Sequence, residues 1–300
     1  MQRRFIYFIN PISGTKNKAP LIELIKTETT NQQIPFEILD TTIDGNYSFL
    51  SNKIEGEKIT DVIICGGDGT VNQILSFLLG VTINVGIIPM GSGNGLALAA
   101  GLSRNAKKAL KIIFNGNVKN TDGFFVNGKF GCMLTGLGFD AQVAFDFLKQ
   151  KKRGLFTYIK ICFKNFFIGK HYLFEVEINK QRINTDAFFI SVANSNQFGN
   201  HVTIAPKASL SDGLLDIIII TKMNKFLTVF SLLRQISLGK IQPHHELFNK
   251  NRNIYYFQTD ELIIHNKNLA PLHIDGEPVE TNSTIKIKIL PNAFRLLQPL

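Results

Sequence analysis

The sequence predicts two domains in series: an α/β domain on a parallel, Rossmann-like three-layer sheet, then a mainly antiparallel β-sandwich. Three observations carry that prediction. Apolar runs alternate with helix-length segments through residues 1–120, the pattern of strands paired in parallel through crossovers. From Asn120 onward, short strand-like runs follow one another with turn dipeptides between them. The chain has 300 residues, and at ~100–200 residues per domain that length suits two. The expected domains are 1–120 and 121–300, with the last strand free to return to the first.

In the first domain Phe5–Ile9 is an apolar strand stopped by Asn10-Pro11, and Ala19 to Thr29 has helical spacing. Pro35–Leu39 is a second strand, residues 46–56 a helix, and Asp61–Cys65 a third strand rich in β-branched side chains. Val71–Leu79 is helical, Ile83–Ile88 is a fourth strand, and Gly95–Gly101 opens another helix. In the second domain Phe174–Ile178, Ala187–Val192, Leu214–Ile220, Glu261–His265 and Leu272–Ile274 read as strands. Asn127-Gly128, Asn179-Lys180, Asp212-Gly213 and Asp275-Gly276 are the hairpin signals. Helices are expected near 141–170 and at 222–239, and Ile285–Leu290 is a late strand whose neighbours the sequence does not reveal.

Composition narrows the function. With 44% apolar and 19% charged residues, and 25 phenylalanines, the chain is globular rather than disordered. Its 3 cysteines, Cys65, Cys132 and Cys162, are far apart and in no metal-ligand spacing, which suits reduced thiols in a cytosol-like compartment. The net charge of +10 steers anionic partners, acidic phospholipid or phosphorylated small molecules, unless it serves solubility alone. No zinc-finger spacing, basic helix or aromatic-basic strand points to nucleic acid. Arg3-Arg4 precedes too short an apolar run for a secretory signal, which needs ~7–15 residues. The uncharged stretch from Gly69 to Ser103 is broken by Pro89, by glycines and by Asn72, Asn84 and Asn94, so no spanning helix is expected there. A soluble, cytoplasmic protein follows.

Three glycine-rich loops each leave an apolar strand directly: Asn10-Pro-Ile-Ser-Gly14, Gly66-Gly-Asp-Gly-Thr70 and Pro89-Met-Gly-Ser-Gly-Asn-Gly95. Loops at the carboxyl edge of a parallel sheet form a ligand crevice. Glycines let N–H groups approach a phosphate, and the next helix adds partial positive charge. Ser13, Thr70 and Ser92 offer hydroxyls beside those amides. None of the loops is a Walker A loop or a dinucleotide fingerprint. Gly67 is expected to sit where a phosphate approaches and at a positive φ. Asp68 within such a cradle repels phosphate unless a divalent metal intervenes or the carboxylate handles a proton.

Gly-Gly-Asp-Gly-Thr at 66–70 resembles the nucleotide loop of the diacylglycerol kinase catalytic family, which includes sphingosine, ceramide and related bacterial lipid kinases. Asn10-Pro-x-Ser-Gly14, Thr41-x-x-x-Gly45 and Gly91-Ser-Gly-Asn94 resemble further first-domain segments of that family. Gly136-Leu-Gly-Phe-Asp140, Ile204-Ala-Pro206 with Ser209 to Asp216, and Asp275-Gly-Glu277 resemble its second domain. Gly95 replaces an aspartate common in the family, and the next arginine is Arg104; the segment is closer to the sphingosine and ceramide kinase branch.

The resemblance implies transfer of the γ-phosphoryl group of ATP to a lipid hydroxyl, diacylglycerol first, a sphingoid base or other lipid alcohol next, in a cleft between the domains. It places nucleotide contacts on Asn10, Ser13, Gly14, Thr41, Gly66, Gly67, Asp68, Gly69, Thr70, Val71, Asn72 and Ser92. It implies a structural Mg²⁺ on the Asp212 carboxylate and the main-chain oxygens of Ser209 and Leu214. Glu277 becomes the general base, with Asp68 as rival. Peripheral membrane association is implied, and a homodimer is left open. Arg153 to Tyr172 mixes Phe156, Tyr158, Phe163, Phe166 and Phe167 with lysines, and Met223 to Leu238 has an apolar face; each suits a bilayer surface or packing on the sandwich. His244-His245 is read as surface. Two alternatives stand beside the lipid kinase: an NAD kinase-like enzyme, which shares Gly-Gly-Asp-Gly-Thr, and a silent nucleotide- or membrane-binding module, which the acidic pair Asp68 and Glu277 disfavours.

Overall fold

The computed structural model describes residues 2–14, 17–150, 155–199, 202–203, 205–221 and 254–300. The expected helix at 222–239, with the Met223–Leu238 face, and His244-His245, Arg153 and Ile204 lie outside the described residues. The chain divides into two compact units: Met1–Asp122 with Asn292–Leu300, and Gly123–Pro291.

In the first unit β1 (Phe5–Ile9), β2 (Phe36–Asp40), β3 (Asp61–Gly66) and β4 (Asn84–Pro89) form a parallel sheet in the order β4-β3-β1-β2. Helices α1 (Ala19–Asn31), α2 (Leu50–Glu57), α3 (Asp68–Leu78), α4 (Gly95–Ala99) and α5 (Ala106–Asn115) belong to the same unit. β1 is buried along its whole length, as a strand covered on both faces must be. Phe5, Tyr7 and Ile9 share a core with Ile25 of α1 and with Leu110 and Ile113 of α5. Phe8 points the other way, by the period of a strand. Its ring meets Tyr47 edge-on at 5.4 Å, and Tyr47 meets Phe77 of α3 at 5.9 Å. The sheet is therefore a middle layer.

Local chemistry sets several boundaries. α2 starts at Leu50, later than periodicity suggests, because residues before it are taken up in Asx turns: Asp44 accepts the Asn46 N–H, and Asn46 accepts the Ser48 N–H, both at 3.0 Å. α3 starts at Asp68, earlier than its apolar spacing, with Gly67 as N-cap. α5 has no counterpart in the sequence reading. Asn105 caps it by accepting the Lys108 N–H, and Gly116 ends it at a φ of 72°.

β5 (Val118–Val126) leads out of the first unit and turns at Asn127-Gly128 into β6 (Lys129–Gly131). Then follow β7 (Leu134–Gly138), α6 (Phe139–Leu148), α7 (Leu155–Ile168), β8 (Tyr172–Ile178), β9 (Gln181–Ala193), β10 (Gln197–Gly199) and β11 (Val202–Thr203). β12 (Leu215–Thr221), β13 (Ile254–Thr259), β14 (Glu261–Asn266), β15 (Leu272–Ile274), β16 (Glu277–Val279) and β17 (Thr284–Leu297) complete the order. The second unit is a mainly antiparallel β-sandwich. β9 serves both layers: its first half pairs with β8, its second with β7 and β12. Leu137, Ile190, Val192 and Ile217 share one core with Val176, Ile264 and Ile287.

Asp212-Gly213 does not make a hairpin. The strand after it, β12, runs against β9 and β13, so the dipeptide joins no two paired neighbours. The Leu214 N–H instead donates to Asp212 Oδ1 at 3.1 Å, while Gly213 takes a φ of 73°. β17 extends beyond the expected Ile285–Leu290. It pairs antiparallel with β14, and its far end adds in parallel to β4 through Arg295 and Leu296. Among the described residues no helix is long and apolar enough to cross a membrane.

Candidate active site

The parallel register puts Ile9 beside Asp40 and Cys65, and Gly66 beside Pro89. The loops that leave from Asn10, Thr41, Gly67 and Met90 therefore emerge along one edge of the sheet. Asn10 ties two of them together. Its N–H donates to the Cys65 carbonyl at 2.9 Å, and its Nδ2 donates to Thr70 Oγ1 at 2.7 Å. Its Oδ1 accepts the Ile12 N–H at 3.0 Å, and Ser13 Oγ donates to its carbonyl at 3.1 Å.

Glycine is required here by loop against loop. A Cβ on Gly14, whose φ is 61°, would lie 2.6 Å from the Met90 carbonyl oxygen. A Cβ on Gly91 would lie 2.6 Å from Gly67 Cα, and one on Gly67 3.0 Å from Gly91 Cα. Gly67 itself is extended, with a φ of −98°, so the expected positive φ is corrected: close approach of Gly91, not handedness, selects glycine there. Asn94, in the left-handed region at a φ of 55°, fastens the third loop from within. Its Oδ1 accepts the Gly91 N–H and its Nδ2 donates to the Gly91 carbonyl, both at 2.7 Å.

The edge carries donors for an anion. α3 points its N-terminus at it, and the half-buried Asp68 opens that helix's first turn, where a carboxylate is favoured. The Val71 side chain is buried, and its N–H donates to the Gly67 carbonyl at 3.0 Å. Thr70 is buried, Asn72 half-buried and Ser92 exposed. Thr41 is anchored by its N–H to the Ile9 carbonyl at 3.0 Å, and Thr42 Oγ1 beside it is buried without a hydrogen-bond partner. Two cations that the sequence did not assign to the site lie along this edge. Lys18 Nζ donates to the Ser13 carbonyl, and burial lowers its ammonium below the ordinary lysine value. Arg104 donates to the Gly93 carbonyl at 3.1 Å, so the arginine that the sequence puts late is folded back onto the third loop.

In the second unit Asp275 and Gly276, at φ of 50° and 82°, make a tight turn between β15 and β16. The buried Asp275 carboxylate accepts the N–H groups of Cys132, Met133 and Leu134 at 2.8, 2.8 and 3.0 Å. Asp275 is thus a brace, and the next carboxylate, Glu277, stands exposed at the start of β16. Ser209, Asp212 and Leu214 share the loop before β12, with the Asp212 side chain exposed and folded back on the Leu214 N–H. Nearby, burial pushes the Asp216 carboxyl up to about 6, opposed by hydrogen bonds from Tyr256 and Gln258 and reinforced by the Asp212 charge.

The diacylglycerol kinase catalytic domain profile matches residues 4–126, and that of the YegS C-terminal NAD kinase β-sandwich-like domain matches residues 134–298. "Probable lipid kinase YegS-like" of Shewanella frigidimarina is 26% identical over 252 residues, spanning 81% of this chain and 78% of its own. "Probable lipid kinase YegS" of Salmonella arizonae is 28% identical over 249 residues, with 80% and 79% spanned. A solved diacylglycerol kinase structure from Bacillus anthracis superposes with a TM-score of 0.72 at 18% identity, over 99% of this chain and 97% of that one, which shows a shared fold.

Proposed function

The chain belongs to the diacylglycerol kinase catalytic-domain family and is a lipid kinase, and we propose that its phosphoryl donor is ATP and its acceptor the free hydroxyl of diacylglycerol. The observation that carries the reading is the glycine-loop edge of the first unit, where interlocked loops and the α3 N-terminus form a cradle suited to phosphates. In this reading Asn10, Ser13, Gly14, Thr41, Gly66 to Thr70, Asn72 and Ser92 surround the nucleotide. Lys18 and Arg104 add positive charge beside the phosphates. Glu277 takes the acceptor's proton as the new bond to γ-phosphorus forms and the bond to the β,γ-bridging oxygen breaks, releasing ADP.

Ser209, Asp212 and Leu214 fit a hard cation in donor chemistry, one exposed carboxylate with main-chain oxygens. Bound there, Mg²⁺ would order the turn that opens β12. No group of three His, Cys, Asp or Glu side chains able to hold a metal occurs among the described residues, and this donor set needs none.

Membrane association is supported by α7. Its outward face is apolar: Phe156 and Phe163 are 91% and 61% exposed, and Phe167 and Ile168 are exposed beside Lys160 and Lys164. A helix packed only on a sandwich would turn those rings inward; an interfacial helix turns them to lipid. With the +10 net charge, binding should favour anionic vesicles and weaken with salt. In sedimentation, a Phe156→Asp/Phe163→Asp variant should bind at least about tenfold more weakly, since a buried Phe is worth ~1.5–3 kcal/mol. Equal binding by both proteins would end the assignment of α7.

The decisive assay offers labelled ATP with diacylglycerol, a sphingoid base or NAD. Label in diacylglycerol supports the proposal; label in the sphingoid base moves the acceptor, and label in NAD overturns the lipid reading. Glu277→Gln keeps shape without basicity, so kcat should fall by ~10²–10⁴-fold while ATP binding persists. Near-normal kcat would remove Glu277 as base.

A further inference from the structure

Behind the turn that presents Glu277 lies a buried pair that the proposed chemistry does not use. His273, on β15, is 2% exposed. Its Nδ1 accepts the Gly276 N–H at 3.1 Å, so Nδ1 carries the lone pair and the ring proton of the neutral imidazole sits on Nε2. Nε2 faces Asp140 Oδ2 at 3.5 Å. Asp140 Oδ1 accepts the Ala141 N–H at 2.8 Å at the start of α6, which leaves Oδ2 for the ring. Gly136, opposite His273 in the register, makes the meeting feasible: a Cβ there would lie 1.9 Å from Asp140 Oδ2. The His273 carbonyl is held in turn by Thr135 Oγ1 at 2.6 Å.

We propose that His273 is a positioning residue for phosphoryl transfer: through the Gly276 N–H it orients the peptide that precedes Glu277, and Asp140 fixes its ring. The proposal rests on Glu277 being the base. The turn does not need His273 in order to close. Asp-Gly is a strong two-residue turn by itself, and the Asp275 carboxylate already pins it to three N–H groups. In such a turn the second residue's N–H ordinarily faces water; here it is taken by an imidazole. A buried ionisable pair is a poor source of stability compared with apolar side chains of the same volume. Burial pushes the Asp140 carboxyl up, with His273 opposing the rise, so the pair bears a desolvation penalty that an apolar pair would avoid. Its return is geometric: it fixes the direction of one peptide directly before an exposed carboxylate.

Two substitutions separate the ring's two contacts. In His273→Asn the amide oxygen stands where Nδ1 stood and can accept the Gly276 N–H, while Asp140 loses its partner. In His273→Gln the amide reaches toward Asp140, and the Gly276 N–H loses its acceptor. Both are made in the full-length wild-type and Glu277→Gln proteins and assayed with diacylglycerol in mixed micelles, with thermal melting alongside. His273→Gln should lower kcat by about tenfold to a hundredfold, the loss expected when a reacting group is misplaced rather than removed, with the ATP KM unchanged. His273→Asn should recover most of that loss. In the Glu277→Gln background His273→Gln should lower kcat no further. An equal loss in both backgrounds, or losses in both variants that follow melting temperature, would make His273 structural and overturn the proposal while leaving Glu277 as base. Near-normal kcat in Glu277→Gln alone would overturn the base, and the proposal with it.

Discussion

At the carboxyl edge of β1, β3 and β4, backbone meets backbone because glycines leave the room; at the Asp275 turn, backbone is held because a buried carboxylate fills it. The first device is steric. Gly14 and Gly91 let the loops approach to distances no Cβ tolerates, Gly67 sits at the tight limit of what one can, and the polar ties of Asn10 and Asn94 only fasten what the glycines allow. The second is electrostatic. One carboxylate collects three buried N–H groups. The difference lies in how each fails: the glycine edge is damaged by adding atoms, the turn by removing charge.

The largest expected effect follows from the second device. Asp275→Ala strands three buried N–H groups, and at ~1–3 kcal/mol for each unmet donor the sandwich should lose about 3 kcal/mol or more. Asp275→Asn tolerates the same backbone but can accept fewer N–H groups, so it should fall between. Urea unfolding measures both. A loss below about 1 kcal/mol for the alanine variant would mean that the carboxylate is not what holds the turn.

The glycine edge should respond less in stability and more in ligand binding. Gly91→Ala drives a methyl to 2.6 Å from Gly67 Cα, whereas Gly67→Ala meets Gly91 Cα at 3.0 Å with an unstrained φ. Overpacking of this kind costs ~1–3 kcal/mol, so Gly91→Ala should sit at the upper end and Gly67→Ala at the lower. Because a displaced loop also displaces its N–H groups, ATP affinity by calorimetry should fall in the same order. The reverse order would mean that Gly67 is selected by contact with phosphate, not by Gly91.

The two devices also differ in how far a sequence displays them. β1 is legible to the residue, because five apolar side chains ended by Asn10-Pro11 are a local signal. The glycine loops are visible as motifs for the same reason, though the partner each glycine accommodates is not. Gly14 needs the Met90 carbonyl and Gly67 needs Gly91, and those contacts are made only by the folded sheet. In Asp-Gly-Glu the turn is legible, yet nothing local tells that Asp275 serves residues 132–134. His273 is hidden likewise, since nothing local tells that its ring meets the Gly276 N–H and Asp140. β17 shows the same limit. Its apolar alternation is readable, while its parallel pairing with β4 joins residues some two hundred positions apart and no turn announces it.

The smallest expected effect tests where the comparison itself blurs. Thr70 Oγ1 accepts Asn10 Nδ2 at 2.7 Å, so one hydroxyl braces two loops by polarity inside the edge that glycines shape. The same hydroxyl keeps a proton it can donate to a phosphate. Thr70→Val retains the shape and removes both abilities, and it leaves the Asn10 amide short of an acceptor. Stability should fall by about 1 kcal/mol, the net worth of one such hydrogen bond. ATP affinity should fall by roughly threefold to tenfold, a further ~1 kcal/mol for the donor lost to the phosphate. Thr70→Ser should restore both quantities, since only the hydroxyl is at issue. If Thr70→Val loses stability while its ATP affinity is unchanged, the hydroxyl is a brace alone, and this corner of the glycine edge works by the same means as the Asp275 turn. If affinity falls without a loss of stability, the Asn10 contact is incidental and the glycines hold the loops by themselves.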